Sequence, residues 1–168
     1  MEFEKLIHTR YSVRSFKNMP VEKEKLDKIL EAGRVAPTAC NNQPQRIRII
    51  TGAELAKVDE CTPCRFGAPL VLLVCYDKSI TWRNKFDAQV NSGETDTAIV
   101  VDYMMLQAWD LGIGSCWVQY FDPKKTKEVF KLPDNLVPAS FLPIGYAADD
   151  CKTSNNFGKR VPLKDLVF

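Results

Sequence analysis

At 168 residues, 45% of them hydrophobic and 26% charged, the chain suits one domain that buries about two thirds of its unfolded surface without disulfides or metals, which excludes a disordered or fibrous protein. Twenty-three basic and twenty-one acidic side chains leave a net charge of +2 with no basic tract, so neither nucleic acid nor an anionic membrane surface is expected as a partner. The opening MEFEKLIHTR carries acids where a secretory signal needs a basic region, and the most apolar stretch, 98–109, is interrupted by Asp102 and Gln107. No membrane span is expected, the location is predicted to be cytoplasmic, and the six cysteines read as reduced thiols.

No repeat or flexible linker divides residues 1–168, so a single domain is expected. After Pro20, VEKEKLDKILEAGRVA places Leu26, Ile29, Leu30 and Gly33 at helical spacing between Glu and Lys, predicting an amphipathic helix that ends near Pro37. Residues 46–51 alternate as a strand does, while APLVLLVCY, 68–76, is continuously apolar in the manner of a strand buried on both faces. From Glu94 to Leu111 the pattern is helical and apolar nearly all round, which predicts a helix buried in a core or against another subunit, and Gly112 stops it. Phe141 to Ala147 reads as a further buried strand, and VPLKDLVF, 161–168, is an apolar tail that a monomer would not cover.

Four short stretches carry candidate chemistry. Period-two spacing in an extended segment puts Arg10, Ser12 and Arg14 on one face, where two guanidinium groups flanking a hydroxyl suit a phosphate. The ordinary alternative is two surface arginines pairing with Glu2 or Glu4. The loop APTACNNQPQ, 36–45, offers small residues that let a flat ligand approach the main chain, with Thr38, Asn41 and Gln43 as hydrogen-bonding groups, or it is only a helix-to-strand turn. GIGSCW, 112–117, lacks the third glycine of a dinucleotide loop and follows a helix, so it reads as a helix end running into a strand whose Trp117 stacks on a ligand ring or fills the core. Lys159-Arg160 precedes the tail and is otherwise a solvated pair. His8, the only histidine, has no evident partner for nucleophilic catalysis, and Cys61-Thr62-Pro63-Cys64 has no second ligand pair, so no metal site is expected and the two thiols read as structural rather than as a redox pair.

In order along the chain these features resemble the nitroreductase family. RYSVRSF is similar to its Arg-x-Ser-x-Arg-x-Phe opening, APTACNNQPQ to its Ala-Pro-Ser-x-x-Asn-x-Gln-Pro-Trp loop, GIGSCWVQYFD to its Gly-x-Gly-Ser-Cys-Trp segment, and LPIGYAA with KRVPLKDLV to its closing pattern. The resemblance implies an α+β fold with a central mixed, mainly antiparallel sheet flanked by helices, and a C-terminal tail exchanged in a homodimer. It implies tightly bound FMN, its phosphate held by Arg10, Ser12 and Arg14 together with Arg160 and Lys159, with Tyr11 among the cofactor-binding residues. Pro37, Thr38, Ala39 and Asn41 would come from the partner subunit and pack on the flavin, while Cys116, Trp117 and Val118 would form the wall beside the isoalloxazine and turn a backbone N–H towards N5. No side chain is then catalytic; hydride passes from NADH or NADPH through flavin N5 to a small electron-poor acceptor such as a nitroaromatic or quinone. Thr38 replaces the usual serine, Gln45 a common tryptophan, and Gln119-Tyr120 the small residues frequent there, which bears on the width of the substrate slot. If Gln119 and Tyr120 block the hydride donor, the protein binds or processes flavin without NAD(P)H turnover; a thiol–disulfide protein using Cys61 and Cys64 is the third reading.

Overall fold

The computed structural model describes residues 1–168 and centres on a sheet of β1 (Gln45–Thr51), β2 (Leu70–Asp77), β3 (Gly114–Ser115) and β4 (Leu136–Gly145), in spatial order β1-β2-β4-β3. Five α-helices surround it: α1 (Phe3–Thr9), α2 (Lys23–Val35), α3 (Leu55–Cys61), α4 (Gly93–Asp110) and α5 (Pro123–Val129). All three strand pairings are antiparallel; the one parallel element is an isolated bridge between Ser12 and Ser115, which lays the N-terminal segment beside β3.

The unbroken apolar run of β2 has a direct cause. Leu70, Leu72 and Val74 face a core shared with Ile29 of α2 and Val100, Val101 and Met104 of α4, while Val71, Leu73 and Cys75 face a second core with Val58 of α3, Phe130 and Phe141. Both faces of the strand are covered, and each such aliphatic side chain contributes about 1.5–3 kcal/mol by leaving water. Phe141 anchors the second core with its ring edge-on to Phe121 at 5.2 Å.

Helix α4 buries Val100, Val101, Met104, Met105 and Ala108 in the core, while Asp102 and Tyr103 form an open stripe in the single chain. The helix ends as expected: Gly112 adopts φ +74, its N–H donates to the Trp109 carbonyl at 3.0 Å, and the Ile113 N–H reaches back to Ala108 at 2.9 Å. That pair of bonds satisfies the last carbonyls of the helix through a left-handed residue.

Strand β4 starts five residues before the predicted Phe141 and runs through Pro138, which cannot donate to a ladder. The register slips between Val74 and Cys75, leaving Pro138 opposite Cys75, and this irregularity accommodates it. Helices α1, α3 and α5, of seven residues each, are too short to show a period. No helix is long and apolar enough to cross a membrane. The tail 161–168 lies uncovered along its whole length.

Candidate active site

The segment carrying Arg10, Ser12 and Arg14 is fixed from below. Val13 is fully buried and its N–H donates to the Ser115 carbonyl at 3.0 Å; farther on, Lys17 N–H bonds Tyr146 and Ala148 N–H bonds Ser15, each at 2.9 Å. With Val13 turned into the core, Ser12 and Arg14 fall on the other side of the extended chain. They line a cavity of about 260 Å³ together with Arg10, Tyr11 and, from the far end of the chain, Ser154, Asn156, Phe157 and Arg160. Tyr11 fastens the two ends of the chain, its ring edge-on to Trp109 of α4 at 5.0 Å and to Phe157 at 6.1 Å.

The electrostatics of this hollow are one-sided. None of Arg10, Arg14 or Arg160 takes part in any of the ion pairs of the chain, and no carboxylate lines the cavity. Arg14 donates only to the Ser12 carbonyl at 3.4 Å and Arg160 only to the Lys159 carbonyl at 2.8 Å, which removes the reading of arginines paired with Glu2 or Glu4. Three guanidinium groups facing one space without neutralisation are built for an anion, and a phosphate fits their fork geometry. Lys159 stands outside the cavity wall, bonded to Asn156 Oδ1 at 3.3 Å.

Beneath the clamp lies Cys116, buried, its thiol pushed up by burial despite the opposing influence of Arg14 and the Ser12 hydroxyl. The amides of Cys116 and Val118 are occupied, donating to Pro143 and Phe141 at 3.2 and 2.9 Å, whereas the Trp117 N–H between them has no partner. The buried indole N–H of Trp117 has none either. Trp117 borders a separate hollow of about 550 Å³ with Glu94, Thr95, Ala98 and Gln119. Of the two bulky residues after Val118, only Gln119 shares this space; Tyr120 is 76% exposed and borders another hollow with Cys61 and Pro63.

The loop after α2 folds into a tight turn in which Cys40, Asn41 and Gln43 all take positive φ, at 52°, 55° and 49°. The Thr38 hydroxyl accepts from the Gln43 N–H at 3.0 Å, so it braces the turn, and the Ala39 N–H donates to Asp96 Oδ1 of α4 at 2.8 Å. Pro37, Thr38, Ala39 and Asn41 do not line the arginine cavity, and neither does Trp117, which borders its own hollow, so one chain gathers the clamp but keeps the loop and the Trp117 wall outside it. Ser154, Asn156, Phe157 and Asp96 were not among the expected residues; the polar run KTSNN just before Lys159 was the one available signal.

Cys61 of the C-x-x-C pair is buried and engaged. Cys61 ends α3 with its Sγ donating to the Lys57 carbonyl at 3.2 Å, and burial pushes its thiol up rather than down. Cys75 is pushed up to about 12 by burial. A thiol reagent at pH 8 should therefore modify exposed Cys40 first and reach Cys61, Cys75 and Cys116 only in denaturant, with mass spectrometry as the readout. Labelling of native Cys61 as fast as Cys40 would restore the dithiol reading.

The sequence profile of the Nitroreductase family matches residues 7–62 and 62–146. The chain belongs to the nitroreductase family. A Methanothermobacter thermautotrophicus protein bearing the provisional name NADH dehydrogenase/NAD(P)H nitroreductase is 29% identical over 167 residues, covering 94% of this chain and 83% of its own. The crystal structure of a nitroreductase family protein from Clostridium difficile superposes with a TM-score of 0.93 at 42% identity, covering 100% of this chain and 98% of the other. An FMN-dependent nitroreductase from the same species superposes at 0.74 with 29% identity, covering 92% of each. The nitroreductase profile ends at Tyr146, so Arg160 and the tail lie beyond it.

Proposed function

We propose that the chain is an NAD(P)H-dependent flavin oxidoreductase that binds FMN and works as a homodimer. The observation that carries this reading is the convergence of Arg10, Arg14 and Arg160, none with a carboxylate partner, on one cavity. The donor set fits the group: the guanidinium forks of Arg10, Arg14 and Arg160 and the Ser12 hydroxyl would hold the phosphate dianion through charge-assisted bonds. FMN bound there supplies a two-electron carrier between NADH or NADPH and an electron-poor acceptor such as a nitroaromatic or quinone. The protein's own part is orientation. Trp117 offers a backbone N–H without a partner between the engaged amides of Cys116 and Val118, and Gln119 limits the width of the hollow beside it.

Apolar surface supports the dimer. A groove of about 1010 Å³ between α1, α2 and α4 exposes Phe3, Val35 and Tyr103, and Leu163, Leu166, Val167 and Phe168 of the tail are equally bare. A second copy that covers these faces and brings its 37–41 turn to the neighbouring flavin accounts for a clamp and a loop that one chain keeps apart. Six free thiols support a reducing, cytoplasmic setting.

The decisive measurement is an absorption spectrum of the purified protein followed by anaerobic stopped-flow reduction. Yellow protein bleached by NADH or NADPH is the expected result. A colourless protein that takes up no FMN on titration defeats the reading, and bound flavin that neither nucleotide bleaches replaces it with flavin binding without turnover.

A further inference from the structure

Asp96 sits in the first turn of α4 and is 2% exposed. Its Oδ1 accepts the Ala39 N–H at 2.8 Å and its Oδ2 accepts the Ser92 hydroxyl at 2.6 Å. Ser92 is in turn bonded to Trp82 in both directions: its N–H donates to the Trp82 carbonyl at 3.0 Å and its Oγ accepts the Trp82 N–H at 3.2 Å. Trp82 opens a hairpin-like excursion closed by a bridge between Arg83 and Asn91, with Phe86 fully exposed at its tip. One buried carboxylate thus ties together two segments that lie more than forty positions apart in the chain.

The residue type is informative. Burying a carboxylate costs free energy that a neutral side chain avoids, and here the N-terminal turn of an 18-residue helix and two hydrogen bonds offset it. Both partners are donors, and an ionised aspartate is acceptor-only, so it satisfies both at once; asparagine would offer one acceptor and present an N–H₂ to the other donor. The turn it holds needs holding. Three non-glycine residues in left-handed conformation each carry strain, and the Thr38 hydroxyl braces the far end of the turn at Gln43 rather than its start.

We propose that Asp96 is a positioning residue that locks the Ala39 turn and the base of the Trp82–Asn91 hairpin into one body, and so fixes the height at which that turn meets the flavin. This rests on the reading above that the turn packs on FMN. In the FMN-loaded protein, Asp96→Asn should raise the FMN dissociation constant on the order of tenfold, the scale of one lost charge-assisted bond. It should also change the visible circular dichroism of the bound flavin and speed amide exchange in both 37–44 and 82–92. Ser92→Ala should speed exchange in 82–92 with a smaller loss of FMN affinity, and it serves as the test if Asp96→Asn does not fold. The inference is overturned if Asp96→Asn lowers only the melting temperature while flavin affinity, dichroism and exchange in the two segments stay at wild-type values, or if Ser92→Ala leaves the hairpin as protected as before. Arg14→Ala keeps the two readings apart: if it weakens FMN and Asp96→Asn does not, the positioning role alone fails, and if Arg14→Ala has no effect, the phosphate clamp itself fails.

Discussion

Arg14→Ala should weaken FMN binding by on the order of tenfold to a hundredfold, about 1–3 kcal/mol, as measured by quenching of flavin fluorescence on titration. The guanidinium of Arg14 holds nothing in the free protein beyond the Ser12 carbonyl at 3.4 Å, so its removal leaves no stranded carboxylate behind. It also relieves repulsion from Arg10 and Arg160 across the cavity. The melting temperature of the protein without flavin should therefore hold or rise while affinity falls, a pattern that a structural arginine would not give. Arg14→Lys should fall between the two, since it keeps charge and loses the fork. Added salt should narrow the difference, because part of the effect is screened attraction at a partly open site. Unchanged affinity in Arg14→Ala would remove the anion from the assignment.

Gly114→Ala should cost about 1–3 kcal/mol of stability, the range for overpacking a filled core, and lower the melting temperature by roughly 2–12 °C. A Cβ at Gly114 would lie 2.6 Å from Val13 Cγ2 and 3.0 Å from Val13 Cβ, with the Gly145 carbonyl at 3.3 Å on another side. Val13 is fully buried and cannot retreat, so the 12–14 segment must lift away from β3. Flavin affinity should drop with stability, because Ser12 and Arg14 ride on that segment. Val13→Ala in the same chain should recover part of both losses, a coupling that a double-mutant cycle measures. A Gly114→Ala protein with wild-type melting and affinity would mean that the segment is not held as described.

The same glycine explains why GIGS misleads as a phosphate-binding loop: one of its glycines ends a helix and the other admits a neighbouring valine. Much else was plain in the sequence. The run 68–76 announced a strand covered on both sides, the spacing of Leu26, Ile29 and Gly33 announced α2, and alternate positions placed Arg10, Ser12 and Arg14 together. What stayed hidden has physical reasons. Pro138 masked the start of β4, since the bulge that tolerates it, with Ala139 left without an opposite residue, shows only once β4 is paired with β2. Asp96 looks like any acid in a first helical turn until the Ala39 amide, 57 positions earlier, is seen to rest on it. Ser154, Asn156 and Phe157 stayed out of view because their polar neighbourhood does not say that the far end of the chain folds back over Tyr11. The 37–41 loop and the arginine cavity share no wall, so nothing in the single chain relates the two.

The strand order imposes a timetable on biosynthesis. β4 is inserted between β2 and β3, and pairs such as Leu70 with Ile144 join residues far apart in the chain. A nascent polypeptide that has emerged only to residue 135 holds β2 with one flank bare, a Leu- and Val-rich ribbon ready to pair with any extended neighbour. Closure of the central ladder waits for β4 to emerge, which makes the interval between the synthesis of β2 and that of β4 the one most open to mispairing.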